Sequence, residues 1–238
     1  MKLFISHQHG AMVMALLPFL YGMLLAHPVW AHSFLFLAWC ALYLMSYPFL
    51  SLFKDKNNPL YRKWAMIYAI ATFLFALPAL FYNGKILYFG AAMLPFVGIN
   101  IYYIKQKNER HLLNDFAGIA IFALAGMGSY YFSDRTFDAQ MGWVATYPTL
   151  FFIGTTLYVK SMMRERKNPR YWRVSIFFHT VLVAYFAVIE QGYLMLAFGV
   201  GWIRAIYLPR KKLSVKQVGL MEFVITAIFF IFLLLGTL

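Results

Sequence analysis

The residues best suited to chemistry are polar side chains in two related segments of an otherwise apolar sequence. Segments 54–61 and 164–171 share the order base, acid, base, polar residue, Asn, Pro, any residue, Tyr, at an offset of 110 residues. Lys and Arg donate charge-assisted hydrogen bonds to phosphate, and carboxylates can hold a bridging metal ion. The two segments therefore predict an internal repeat and a candidate site for an anion or a metal-bridged phosphate.

Further polar residues lie near the starts of the first and fifth predicted helices. Together with the polar residues of the two repeated segments, we call them the mouth residues. His ionises near neutral pH, while Asn and Asp are frequent helix caps. The alternatives to ligand binding are local ion pairs worth about 0–1 kcal/mol, turn formation by Asn-Pro, and capping of the fifth helix by Asn114 or Asp115. The mouth residues are Gln8, His9, Asp55, Asn58, Asn114, Asp115, Arg164, Glu165 and Asn168.

A second group of polar residues falls inside the apolar stretches, at Asn100, His179, Arg204 and Glu222. Ionisable groups at membrane depth are costly and are typical of functional sites. Arg204 and Glu222 lie near the predicted cytoplasmic ends of their helices, so mutual pairing or extension of the side chain to the interface is the alternative. For His179 the alternative is a hydrogen bond between helices.

Motifs of soluble enzymes are absent from the sequence. There is no phosphate loop, HExxH, GxSxG or dinucleotide fingerprint, and no cluster of Cys and His. We therefore assign no catalytic residue and predict no resident metal site from the residues themselves.

The elements that position these residues follow from the composition. The chain is 63% hydrophobic and 12% charged, whereas soluble domains carry about 25% charged residues. Its apolar stretches approach the roughly 20 residues that cross a bilayer core, where the backbone must satisfy its own hydrogen bonds as helices. The sequence predicts an all-α, polytopic membrane bundle of about nine transmembrane helices, roughly at 11–27, 29–53, 64–82, 86–104, 116–133, 141–159, 174–190, 192–207 and 218–238.

The basic residues predict the orientation of these helices. If the N-terminus is cytoplasmic, every Lys and Arg except Lys85 and Arg135 lies on the cytoplasmic side, as the positive-inside rule requires. We therefore predict a multi-pass protein of a bacterial inner (plasma) membrane, with the C-terminus outside and the lipid bilayer as its partner. The net charge of +13 is explained by this topology, so no nucleic-acid partner is expected.

The repeated segments also predict the internal organisation. We expect a single transmembrane domain over residues 1–238, made of one repeat at about 8–104, a second at about 112–207, and a ninth helix at about 218–238. A pseudo-twofold axis along the membrane normal would bring both Asn-Pro loops to one polar, cytoplasm-facing cavity.

Several short motifs resemble those of a known family. Gln8-His9-Gly10-Ala11, Tyr47-Pro48-Phe49-Leu50 and Leu112-Leu113-Asn114-Asp115 are similar to motifs of the YwiC-like family of bacterial integral membrane proteins. The family motif QHGAW has Trp where this chain has Met12. The resemblance spans most of the chain and implies the same membrane architecture, but it implies no reaction.

A more distant resemblance concerns architecture alone. UbiA-type intramembrane prenyltransferases also have about nine helices in a four-plus-four duplication, with functional motifs after the second and sixth spans. Those motifs are Asp-rich and hold magnesium and diphosphate, which makes magnesium a candidate cofactor through the resemblance. Each loop here offers one acid among several bases, which is a poor magnesium site.

Three functions remain open. A UbiA-like intramembrane enzyme, or a binder derived from one, would hold an anionic isoprenoid or lipid head group at the mouth. A small-molecule transporter would have a water-filled path lined by His179 or Asn100. A non-catalytic membrane partner or assembly protein would use small-residue faces such as Gly126 and Gly128 for packing.

Overall fold

The computed structural model describes residues 9–211 and 213–238, and this part of the chain is helical throughout its regular structure. Its nine α-helices are α1 His9–Leu25, α2 Ala31–Ser51, α3 Pro59–Tyr82, α4 Leu87–Lys105, α5 Leu112–Asp134, α6 Ala139–Met162, α7 Pro169–Val188, α8 Gly192–Tyr207 and α9 Val215–Thr237. Short 3-10 helices precede α4 at Gly84–Ile86 and follow α8 at Leu208–Arg210. The predicted all-α fold is confirmed, and each predicted span corresponds to one helix.

Helix length and composition make this a multi-pass membrane protein. The segments long and apolar enough to cross a membrane are α2, α3, α4, α5, α7 and α9. Helices α1 and α8 are apolar but shorter, with 17 and 16 residues. Helix α6 has 24 residues but is more polar, with Thr and Tyr distributed along it. Membrane crossing by α1, α6 and α8 stays a prediction.

Local capping explains where several helices begin. Asn58 and Asn168 are the N-caps of α3 and α7, and each is followed by Pro, whose fixed φ suits the first helical position. Ser214 starts α9 with a capping box, in which its hydroxyl and the Gln217 side chain each satisfy a free backbone amide.

The chain divides into two compact units, Met1–Thr146 and Tyr147–Leu238, with the boundary inside α6. In the first unit, α1 and α4 both pack against α5, and α2 packs against α3. In the second unit, α8 packs against both α7 and α9. The single domain with two four-helix repeats stays a prediction, as does the UbiA-like arrangement.

The first unit contains a close crossing of α1 and α5. A Cβ atom placed on Gly126 would lie 2.7 Å from the Pro18 carbonyl oxygen, and one placed on Gly22 would lie 2.2 Å from the Gly126 carbonyl oxygen. Real Cβ atoms do not approach backbone so closely, so only glycine allows this crossing. The small residue at Gly126 thus serves packing inside the unit.

The second unit has an aromatic core. The rings of Phe151 and Phe229 stack with centroids 3.9 Å apart, and those of Phe186 and Phe198 stack at 5.0 Å. An edge contact of 5.4 Å between Phe198 and Phe229 joins the two stacks. A separate apolar cluster packs the end of α6 against the end of α8 and the start of α9, through Tyr158, Met162, Ala205, Leu208 and Val218.

Candidate functional site

The two repeated loops adopt the same local structure. The Asn58 side-chain oxygen accepts a hydrogen bond from the amide two residues on, at 3.0 Å, and its amide group donates to Asp55 at 3.1 Å. Asn168 makes the same pair of bonds, at 3.1 Å to the amide two residues on and 3.3 Å to Glu165. In each loop, Asn therefore caps the following helix, and the acid three residues earlier holds the Asn side chain in place through a hydrogen bond.

This structure accounts for four of the mouth residues by local bonding. Capping occupies the oxygens of both Asn side chains, and each carboxylate accepts a bond from its neighbouring Asn. Arg164 remains exposed at the end of α6. The loops belong to different units, so a shared cavity between them stays a prediction.

The start of α5 differs from the expected capping by Asn114 or Asp115. His111 is the N-cap, with its side chain accepting from the Leu113 amide at 3.3 Å, so the capping interpretation was wrong. Asn114 lies inside the first turn and bonds Asn100 of α4 through a 2.9 Å side-chain contact. Its own amide group donates to a backbone carbonyl at 2.8 Å. Both Asn residues therefore join α4 to α5.

The remaining mouth residues are only partly described. Asp115 lies half-buried in the first turn of α5, where a negative charge is favourable to the helix dipole. Gln8 lies outside the described residues, and His9 begins α1 without a described side chain. Lys54 and Glu109 form an ion pair of 2.5 Å, so the α2–α3 and α4–α5 loops lie at the same end of the first unit.

His32 and Trp39, two buried polar side chains of the first unit, are neutral and bonded to backbone. His32 accepts from the Val29 amide at 3.0 Å through Nδ1, so its Nε2 carries the proton and donates to the Ser129 carbonyl at 3.0 Å. The Trp39 indole donates to the carbonyl of Ala15 at 2.9 Å. These contacts connect helices and leave no buried charge on the described side chains of this unit.

The second unit holds a buried ion pair between Arg204 of α8 and Glu222 of α9, as the mutual-pairing alternative predicts. Arg204 donates through Nη1 to Glu222 Oε2, and through Nη2 to the Thr155 hydroxyl at 3.3 Å. The Arg204 side chain is 1% exposed and that of Glu222 is 12% exposed. The guanidinium carbon lies 4.4 Å from the Tyr158 ring centre, within range of a cation–π contact.

His179 of α7 lies beside this pair. Its Nδ1 is 2.7 Å from the Ser175 carbonyl, so in the neutral ring Nδ1 carries the proton and Nε2 keeps the lone pair. A Cβ on Gly154 would lie 2.8 Å from Nε2, and one on Gly201 would lie 3.4 Å from Nε2 and 3.7 Å from Arg204 Nη2. The two glycines leave the room that the imidazole occupies.

Several atoms of this polar centre have no hydrogen-bond partner. They are Nε of Arg204, Oε1 of Glu222 and the hydroxyl of Tyr158, all buried. Burying an ion costs several kcal/mol, and an incomplete set of hydrogen bonds makes the pair a poor source of stability. We use the name polar centre for Thr155, Tyr158, His179, Arg204 and Glu222.

The polar centre lies close to a strongly basic end of the second unit. Thr155 and Glu222 are each seven residues, about 10 Å, from the helix ends at Met162 and Val215. Those ends carry exposed bases and one acid, Glu165, which is bonded to Asn168. The exposed bases with described side chains are Arg164, Arg166, Lys167, Arg170, Arg173, Lys211 and Lys216.

The sequence interpretation missed two members of the polar centre, Thr155 and Tyr158. The available signal was the composition of α6. Its Thr and Tyr residues make it less apolar than a membrane-spanning helix of that length usually is. Among the described residues, no group of three or more His, Cys, Asp and Glu is arranged to hold a metal ion.

A groove of 550 Å³ in the first unit does not contain the predicted site. It lies between α4 and α5 and is lined by apolar and aromatic side chains such as Phe96, Tyr102 and Phe116. None of the mouth residues lines it, nor does Asn100, His179, Arg204 or Glu222.

Comparison with known proteins extends over both units. The sequence profile described as "YwiC-like protein" matches residues 5–130. A Haemophilus influenzae protein described as "Uncharacterized protein" is 68% identical over 238 residues, which is 100% of both chains. A Bacillus subtilis protein described as "Uncharacterized protein YwiC" is 37% identical over 231 residues, covering 97% of this chain and 96% of that protein. No solved structure matches the chain.

Proposed function

Because the chain belongs to the YwiC-like family and is a multi-pass membrane protein, we propose a function that uses its membrane-embedded polar groups. The protein binds an anionic amphiphile, an isoprenoid or lipid with a phosphate head group, in its second unit. Arg204 is the central anion-binding group, and the bases at the adjacent helix ends attract the ligand. The bilayer supplies the ligand and surrounds its apolar tail.

The observation that carries this proposal is the incomplete bonding of a buried arginine. A guanidinium group presents five donors in a fork that matches phosphate, and Arg204 has a buried Nε without a partner. Lys and Arg near a membrane surface each add about 1 kcal/mol of attraction to anionic lipid. A buried cation with a spare donor below a basic surface suits an anionic head group.

Transport is the second candidate, and one observation favours it. Arg204 and Glu222 are ionisable groups whose side chains are buried in the unit, an arrangement that is typical of ion and proton pathways in membranes. Uptake of a labelled anionic amphiphile into proteoliposomes distinguishes the candidates, because a binder saturates at one ligand per protein whereas a transporter accumulates ligand.

Thermal unfolding in mild detergent tests the binding proposal. We expect farnesyl diphosphate and dioctanoyl phosphatidylglycerol to raise the melting temperature by about 5–10 °C near 100 times the dissociation constant. Inorganic pyrophosphate tests a free anion as ligand, and dioctanoyl phosphatidylcholine controls for the lipid tail. Running each probe with and without magnesium tests the candidate cofactor.

Two arginine variants make this test specific. Arg204→Lys keeps the charge but removes the forked donors, so the shift caused by anionic amphiphiles should disappear. Arg135→Lys, at an exposed position of the first unit, should keep the full shift. A shift that survives Arg204→Lys, or that phosphatidylcholine reproduces, contradicts the proposal.

A further inference from the structure

We infer that Glu222 and the anionic head group compete for Arg204, so that ligand binding is coupled to uptake of one proton by Glu222. This inference rests on the proposed function and specifies how the same site is controlled.

The bonding between the two side chains leaves room for an exchange. Glu222 uses one oxygen to accept from one nitrogen of Arg204, while its second oxygen and the Arg204 Nε are buried without partners. The pair therefore uses only part of the fork that a phosphate group fills. The carboxylate accepts from the guanidinium as an anion would, and the Glu222 side chain is more exposed than that of Arg204.

Charge balance in the buried site makes the exchange depend on a proton. The resting pair is neutral overall, with one positive and one negative side chain. Adding an anion alone would leave a net negative charge in a low-dielectric interior, which is strongly unfavourable. If one proton from solvent binds the Glu222 carboxylate as the anion binds Arg204, the centre stays neutral. The hydrogen bond from Arg204 to Glu222 is replaced by one from Arg204 to the ligand, and no covalent bond other than the new O–H of Glu222 forms or breaks.

Among the described side chains, the other titratable groups that face the pair come from two helices. Helix α6 presents Tyr158, whose ring lies 4.4 Å from the Arg204 guanidinium carbon. Helix α7 presents His179, whose Nε2 faces the same glycine as Arg204. A proton on His179 would stand beside the guanidinium and repel it, whereas a proton on Glu222 releases the guanidinium for the ligand. Glu222 is therefore the proton acceptor of the exchange.

The test uses probes whose own charge is constant between pH 5 and pH 8. Binding of dioctanoyl phosphatidylglycerol, a phosphodiester, is titrated calorimetrically into the full chain in detergent. The affinity should rise as the pH falls, by up to tenfold per pH unit for one coupled proton. Inorganic sulfate, titrated in parallel, shows whether a free anion produces the same coupling.

Three variants assign the proton. Glu222→Gln should bind phosphatidylglycerol at pH 8 as tightly as the original chain does at pH 5, with no dependence on pH. His179→Gln should keep the pH dependence of the original chain. Glu190→Gln, an exposed acid of the same unit, is the matched control and should also keep it.

Proton uptake is measured on the unmodified chain as well, by comparing binding enthalpies in buffers of different ionisation enthalpy. About one proton per bound lipid is expected near pH 7. The inference is overturned if the lipid binds without proton uptake, or if the pH dependence survives Glu222→Gln or vanishes in His179→Gln. Each of these outcomes leaves the proposed binding intact. The absence of binding at every pH overturns the proposed function itself.

Discussion

The two units use polar residues in opposite ways, although they contain the same Asn-Pro cap. In the first unit, His32 and Trp39 link helices through neutral hydrogen bonds to backbone carbonyls. Its unpaired buried groups include the hydroxyls of Ser129 and Ser133, which carry no charge. In the second unit, Arg204 and Glu222 bring charge into the interior and leave atoms of both side chains without partners.

The neutral bonds of the first unit and the buried ion pair of the second differ in what they contribute to stability. Neutral bonds between membrane helices contribute about 0.6 kcal/mol each and need no further explanation. A buried ion pair pays a desolvation cost that a well-packed apolar pair avoids. The polar contacts of the first unit are accounted for by assembly, whereas the unpartnered donor and acceptor of the second unit are the groups that the proposed ligand would bind.

The largest effect should come from breaking the ion pair on one side only. Glu222→Leu leaves the Arg204 guanidinium buried and unpaired, which should lower the free energy of unfolding by about 3–5 kcal/mol. The double variant Arg204→Met with Glu222→Leu should recover most of this loss. Thermal unfolding in detergent measures both, and equal stability of the single variant and the original chain would contradict a buried pair.

A first-unit variant should affect stability without affecting binding. Gly126→Ala places a Cβ against the backbone of Pro18, and overpacking of this kind costs about 1–3 kcal/mol. Gly118→Ala on the same helix has open space around it and is the matched control. Thermal unfolding should show the loss for Gly126→Ala only. Equal stability of the two variants would disprove the close crossing of α1 and α5.

The caps should respond alike in both units. Asn58→Ala and Asn168→Ala each remove a helix cap, so each should cost about 0.5–2 kcal/mol, and Asn→Ser at either position should restore most of it. Neither change should weaken lipid binding, because both side chains bond within their own loops. Calorimetric titration measures this, and a large loss of affinity in both variants would instead support a shared mouth.

The smallest effect is expected at Asp138, before α6. A hydrogen bond from the Met141 amide, together with one from the Tyr130 hydroxyl, holds the pKa of this carboxyl below its usual 3.8. A lowered pKa contributes stability that is present above pH 3.8 and is lost as the pH falls through the folded-state value. Acid unfolding should therefore begin at slightly higher pH in Asp138→Asn, and identical acid unfolding curves would remove this contribution.

Much of the fold could be predicted from the sequence because the membrane limits the available structures. Apolar stretches that cross a membrane must be helices. The basic clusters between them predict where the loops on the cytoplasmic side lie. The cap at α5 was predicted wrongly because His111 is less common as a cap than Asn114, which instead bonds Asn100.

The candidate site was predicted only in part for a different reason. Arg204 and Glu222 stand out in sequence because charge is rare in a span. Their partners Thr155 and Tyr158 are ordinary residues, and only the packing of α6 against α8 and α9 brings them to the guanidinium. Four mouth residues, Asp55, Asn58, Glu165 and Asn168, lie in a repeat that the structure explains locally as two equivalent helix caps.

The double variant Arg204→Met with Glu222→Leu tests most directly whether the polar centre binds an anion, because it keeps the unit folded and removes the charged centre. Its affinity for dioctanoyl phosphatidylglycerol is compared with that of the original chain by calorimetric titration at pH 6. We expect a melting temperature close to that of the original chain and binding at least about 100-fold weaker, because a buried charge-assisted contact of about 3 kcal/mol is lost. Unchanged affinity in a folded double variant would contradict the claim that this centre binds the anion.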